Sequence, residues 1–241
     1  MKKIIYLLIA IISISNGYSQ TAEEYFNRGL AKSRSDDYKG AIADFTKAIE
    51  LNPDYADAYY NRGLAKHKGL PKEFVEDYRV AIPDFTKAIE LNPNKAEIYY
   101  YRGLAKFRSY NYRGAIVDYT KAIKLNPDYA DAYSGRGSAK SHLEDYRGAI
   151  VDYTKVIELR PDNIFGYLMR GDSKCVLEDY TGAIADFTKA IELKPDSTLG
   201  YYWRGLAKIA LGYKDSGCLD LSKAGELGLS KAYDSIREHC N

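Results

Sequence analysis

Six times along this chain an arginine and a lysine stand four residues apart: Arg28/Lys32, Arg62/Lys66, Arg102/Lys106, Arg136/Lys140, Arg170/Lys174 and Arg204/Lys208. Two cations at that spacing share one helical face and repel each other unless an anion lies nearby. Each pair is followed by an aspartate: Asp44, Asp84, Asp118, Asp152, Asp186 and Asp220. The chemistry this predicts is ion pairing between adjacent helices. A polyanion track is disfavoured because every basic row has its own acidic row. No catalytic constellation competes with that reading. His67, His142 and His239 are far apart, and there is no Cys-x-x-Cys, no His-Glu-x-x-His and no phosphate-binding glycine loop. No metal ligands, catalytic residues or cofactor are assigned, and the chain is expected not to be an enzyme.

The elements that carry these charges recur. The Arg-Gly pairs begin at 28, 62, 102, 136, 170 and 204, so the spacings are 34, 40, 34, 34 and 34 residues. That period is the signature of a helical solenoid. The units are read as 22–55, 56–95, 96–129, 130–163, 164–197 and 198–228, with a closing helix over 229–241. Each has a helix A and a helix B. In the first, Tyr25 to Ser33 forms A, Asp36-Asp37 the turn, and Tyr38 to Leu51 forms B. Asn52-Pro53 ends it, and the boundary recurs at Pro93, Pro127, Pro161 and Pro195. Gly29, Gly63, Gly103, Gly137, Gly171 and Gly205 fall mid-helix, where glycine costs about 1 kcal/mol. The repetition implies a backbone crossing too close for a side chain. Ala41, Ala81, Ala115, Ala149 and Ala183 are the matching small positions, and Phe45, Phe85, Tyr119, Tyr153 and Phe187 fill the space between units.

The order of Tyr59, Gly63, Tyr78, Ala81, Phe85, Ala88 and Pro93 resembles the tetratricopeptide repeat, and six copies cover essentially all of residues 20–241. The resemblance implies an all-α protein: one right-handed α-solenoid domain of antiparallel helix pairs, a superhelix whose concave wall is lined by the A helices. Two departures are systematic, the arginine before each glycine and the lysine three residues after it. By the same resemblance the groove positions are Phe26, Asn27 and Leu30; Tyr60, Asn61, Leu64 and His67; Tyr100, Tyr101, Leu104 and Phe107; and Tyr202, Trp203 and Leu206. Unit four, with Ser134, Gly135, Ser138 and Ser141, is plain. Such a wall suits a peptide segment or short helix of a protein partner. The alternative is that the tyrosines only pack helices. The lysine position with which chaperone-binding members hold a C-terminal carboxylate is occupied by Phe26, Tyr60 and Tyr100, which argues against that partner class.

Six extra residues in unit two fall between Gly69 and Asp77, where Lys72 to Glu76 has the makings of a helical turn. An insertion at a solenoid edge can contact a partner, although Phe74 and Val75 suit a local apolar cap better. This leaves a rival to groove binding: a structural scaffold of an envelope complex, joined through its convex face, its ends or the 69–77 insertion.

The ends speak to location. Lys2-Lys3, the apolar run Ile4 to Ile12, and Gly17 and Ser19 follow the order of a signal peptide over 1–19, cut before Gln20. An uncleaved anchor is the less favoured reading, and the apolar run is short for a membrane span. The protein is therefore expected to be periplasmic or secreted, without stable membrane insertion after cleavage. Loss of the leader takes the balance from 35 basic and 33 acidic residues to 33 against 33. That leaves no electrostatic footprint for nucleic acid or anionic lipid. Cys218 on the last B helix and Cys240 at the end of the cap are candidates for a structural disulfide, with Cys175 left over. The alternative keeps all three reduced. Leu229 to Cys240 reads as an amphipathic cap with Ala232, Tyr233 and Ile236 on its stripe.

Overall fold

The computed structural model of the protein describes residues 20–69 and 75–240. The leader expected over 1–19 and Phe74 of the insertion lie outside the described residues. Packing divides the chain into two units, Met1–Pro93 and Asn94–Asn241.

In the first unit, α1 (Ala22–Arg34) pairs with α2 (Tyr38–Leu51), and α3 (Ala56–Lys68) with α4 (Ile82–Leu91). Thr21 and Glu24 make a reciprocal capping box: the Thr21 amide donates to Glu24, and the Glu24 amide to the Thr21 hydroxyl. This starts α1 a turn before Tyr25. The residue after the A–B turn performs a similar task in four repeats, where Asp37, Asn111, Asp145 and Asp179 each accept a glycine amide, as from Gly40 at 2.9 Å.

A 3-10 helix, Val75–Ala81, occupies the place where the sequence alignment put the first turns of an α-helix from Tyr78. Pro83 explains the change. In units one, three, four and five this position holds Ala43, Val117, Val151 or Ala185, inside a 14-residue helix B. Proline lacks the amide hydrogen and its ring crowds the carbonyl four residues earlier, so here it is confined to the first turn of a shorter α4.

The second unit contains α5 (Ala96–Arg108), α6 (Tyr112–Leu125), α7 (Ala130–Ser141), α8 (Tyr146–Leu159), α9 (Ile164–Val176), α10 (Tyr180–Leu193), α11 (Thr198–Ala210), α12 (Lys214–Glu226) and α13 (Ser230–His239). Each helix packs on its successor, and α5 also meets α7, as α9 meets α11, so A helices lie beside A helices. Among the described residues there is no strand, and no helix is long and apolar enough to cross a membrane.

The glycine row behaves differently from the backbone crossing expected of it. A Cβ on Gly29, Gly63, Gly103, Gly137 or Gly171 would lie 2.6–3.0 Å from the aromatic ring that its own helix B drives against helix A. Only Gly205 faces backbone, the Gly217 carbonyl at 2.8 Å, because Leu221 replaces the aromatic there. Phe45, Phe85, Tyr119, Tyr153 and Phe187 are fully buried as a result, each burial contributing about 2–3 kcal/mol of apolar transfer.

The cap also differs in detail. Leu229, Ala232, Ser235 and Ile236 face α11 and α12, whereas Tyr233 is 50% exposed and lies over Gly225. Ser235 is buried because its hydroxyl meets the Tyr202 hydroxyl at 3.2 Å. A Cys218–Cys240 disulfide, with Cα atoms 5.9 Å apart, joins α12 to the end of α13.

Candidate functional site

The expected Arg–Asp pairing is present in all six repeats. Each arginine donates two parallel hydrogen bonds, through Nε and Nη2, to the carboxylate of the aspartate on its helix B at 2.6–3.1 Å. The lysine one turn on reaches the same carboxylate at 2.7–2.8 Å. The guanidinium also lies 4.8–5.9 Å from the ring of the tyrosine one turn earlier. Its remaining nitrogen bonds backwards: Arg62 to Thr46, Arg136 to Thr120, Arg170 to Thr154 and Arg204 to Thr188, at 3.1–3.2 Å. One arginine therefore ties its own helix pair and fastens it to the preceding repeat. Hydrogen bonding to Arg28 holds the Asp44 carboxyl below the usual carboxylate range, against the opposing effect of burial.

With the ladder committed to structure, the expected groove positions are the next to be placed. In the first unit Phe26 packs on Phe45 and Tyr55, with centroids 5.7 and 4.8 Å apart, and Leu30 joins the same cluster. Tyr60 leans on Phe85 at 6.2 Å. Asn61 donates its side-chain amide to the Asp57 carbonyl, Asn27 is exposed and Leu64 half-buried. In the second unit Tyr202 is buried under the cap and Trp203 packs on Phe187. Tyr101 meets Tyr100 edge-on at 5.1 Å.

Tyr100, Leu104 and Phe107 come together at a cavity of about 270 Å³. Its other walls are Tyr119, Ser134, Gly135, Ser138 and Phe165, with Arg108 and Asp131 among the charged lining. The opening exists because unit four is small-chained. A Cβ on Gly135 would sit 2.5 Å from the Tyr119 ring, and Ser134 stands where other units carry Phe26, Tyr60, Tyr100, Leu168 and Tyr202. Burial pushes the Tyr100 phenol up to about 12, so its hydroxyl stays protonated at neutral pH. Asp131 is held by a two-pronged pair to Arg160, at 2.7 and 3.2 Å.

Profiles described as TPR repeat match residues 34–69, 111–141 and 171–212, and one described as tetratricopeptide repeat matches 130–163; together they take in more than half of the chain. The chain belongs to the tetratricopeptide repeat family. Among solved TPR-like structures, MamA is 27% identical, with a TM-score of 0.66 over 73% of this chain and 92% of that one. The C-terminal part of a TPR repeat-containing protein from Cytophaga hutchinsonii is 22% identical, with a TM-score of 0.74 over 89% and 84%. YrrB, described as a TPR protein with an unusual peptide-binding site, is 22% identical, with a TM-score of 0.69 over 80% and 97%. The likeness to the last two is one of fold. An uncharacterized protein of Methanocaldococcus jannaschii is 46% identical over 44 residues, 18% of this chain, which spans about half of that relative's length.

As a TPR array the chain departs from its own rhythm in a way that sequence reading passed over. Two residues before the leading tyrosine, units one to four carry the acids Glu23, Asp57, Glu97 and Asp131; units five and six carry Phe165 and Leu199. Phe165 is 46% exposed at the cavity. Unit four looked featureless because its side chains were considered alone. Against the bulky neighbours Tyr100 and Phe107, its serines and glycine mark the gap.

Proposed function

We propose that this TPR protein is a non-enzymatic interaction module that takes a peptide segment of a protein partner on the A-helix face of its second unit. The observation that carries the reading is the cavity walled by Tyr100, Phe107 and Phe165 and opened by Ser134, Gly135 and Ser138. Aromatic walls with neutral hydroxyls suit the anchoring of one apolar side chain, with amide or hydroxyl contacts around it. The likeness to YrrB supports a peptide ligand for this fold without identifying it. Location outside the cytoplasm, periplasmic or secreted, belongs to the same proposal. It draws on the leader-like order of residues 1–19, and the Cys218–Cys240 disulfide suits an oxidising compartment.

The scaffold reading keeps one observation of its own. Val117 and Val151 on successive B helices are 66% and 67% exposed, and Leu219 is 72% exposed. The experiment that separates the two is capture from a periplasmic or extracellular extract by three proteins. These are the parent, a Phe107→Ala/Phe165→Ala variant and a Val117→Asp/Val151→Asp variant, each with unchanged helicity and melting. Loss of one reproducible partner in the first variant alone supports groove binding. Loss in the second alone overturns it in favour of the convex face.

A further inference from the structure

Every acid among the described residues that is shielded from solvent has a cationic partner, with one exception. The six ladder aspartates are held by arginine and lysine, and Asp131 by Arg160. Asp172 is half-buried on α9 and has no hydrogen bond or ion pair. It stands where units one, two, three and six carry Leu30, Leu64, Leu104 and Leu206, and unit four Ser138. The cations of its own helix cannot serve it, because Arg170 and Lys174 are both bound to Asp186, at 2.6 and 2.8 Å.

The position of this carboxylate connects it to the cavity. Asp172 follows Phe165 by seven residues on α9, hence shares its face two turns further along, about 10 Å away. Phe165 lines the cavity, and Tyr153, which feels the charge of Asp172, has its hydroxyl 3.2 Å from that of Ser138 on the cavity wall. An apolar recess and an unpaired carboxylate thus lie along one helix face. An extended peptide advances about 3.3 Å per residue, so it covers the interval in about three residues.

Resting on the groove reading, we infer that the partner segment carries a lysine or arginine about three residues from its apolar anchor, and that Asp172 receives this cation. The carboxylate, kept partly desolvated and unneutralised in the unbound protein, gains its missing partner from the ligand. This makes the site selective for basic peptides although the chain's formal net charge is +2.

Blocked seven-residue peptides with a fixed leucine or phenylalanine, and lysine, glutamine or glutamate three residues on, test this by calorimetric titration of the full chain and of Asp172→Asn. The expected result is that the lysine series binds about tenfold tighter than the glutamate series, and that Asp172→Asn brings lysine down to the glutamine value. Equal binding of the three series in the parent, or tighter binding of glutamate through Arg108, overturns the inference and leaves groove binding standing. A lysine preference that survives in Asp172→Asn overturns the assignment to this residue. Absence of saturable binding by any series overturns both the inference and the groove reading. A Ser138→Leu variant, which fills the recess, is expected to weaken all three series alike and so checks that the peptides occupy the cavity.

Discussion

Asp152 and Asp172 lie twenty residues apart in the chain, and their surroundings treat a carboxylate in opposite ways. Asp152 is wholly buried, yet it accepts two hydrogen bonds from Arg136 and an ion pair from Lys140. Asp172 keeps part of its surface in water and has no partner. The same contrast separates the two kinds of position in a repeat. Where a residue type recurs in every unit, its neighbours recur with it and satisfy it. Where it changes between units, no such provision is built in: Asp131 finds Arg160, while Asp172 finds no partner.

The strongest way to break this contrast is to remove the ladder anion. Asp152→Ala leaves Arg136 and Lys140, whose side chains are only 17% and 20% exposed, without their shared acceptor. Loss of one partner of a buried pair costs about 3–5 kcal/mol, and the partial exposure of both cations places this one near the lower end. Urea unfolding measures it. A change under about 1 kcal/mol would mean that the ladder is no more than a row of surface pairs.

Overpacking asks whether the repeat core is as rigid as the ladder implies. Gly171→Ala puts a methyl group about where the Phe187 ring now lies, since the added Cβ would be 2.6 Å from it. The expected loss is about 2 kcal/mol, read in the same unfolding experiment. A neutral outcome would show that the ring can step aside, and that the glycine row is not required by packing.

Arg136→Lys is a gentler probe, because charge is retained while shape is lost. The two-pronged grip on Asp152 and the 3.2 Å bond to Thr120 of the preceding repeat both depend on the planar guanidinium. A loss of about 1–2 kcal/mol is expected. Hydrogen exchange in α6 should rise with it if the arginine fastens one repeat to the next. Unchanged exchange there would confine its effect to its own helix pair.

How much of this was readable in the residues alone follows from the same distinction. The ladder and the Pro-ended helices repeat, so Arg28 to Asp44 in one unit could be checked against five others. The glycine row repeats too, but that five of its members face a ring and not a backbone emerged only from the packing. The exceptions do not repeat. Pro83 turned the start of a helix B into a 3-10 segment, and Ser235 rather than Tyr233 took the cap's inner stripe because a buried tyrosine hydroxyl needed a partner. The cavity was missed because it is an absence of volume. Ser134 and Gly135 acquire meaning only beside Tyr100 and Tyr119. Asp172 was passed over for a related reason: an acid in a chain with 33 of them draws notice only once the others are seen to be paired.

The smallest expected effect has the opposite sign and addresses the contrast most directly. Burial raises the Asp172 carboxyl above its ordinary range, with no compensating partner. Between its unfolded and folded values, the folded state holds a proton that the unfolded state has lost. Stability therefore falls as pH rises through that window, and the penalty is fully present at neutral pH. Asp44 runs the other way, its contribution present above the ordinary carboxylate range and lost as pH falls below it. Cys175 and Tyr153, the groups coupled to Asp172, stay neutral throughout: burial and nearby acids push the thiol up to about 11, and burial raises the phenol. Asp172→Asn should accordingly stabilise the unbound protein by under about 1 kcal/mol at pH 7, raising the melting temperature by about 1–3 °C. That gain should shrink as pH falls into the ordinary carboxylate range. Parent and variant melts at both ends of the window measure it. A variant no more stable than the parent at pH 7 would mean that Asp172 is already satisfied within the fold, and that its charge is not held for a ligand.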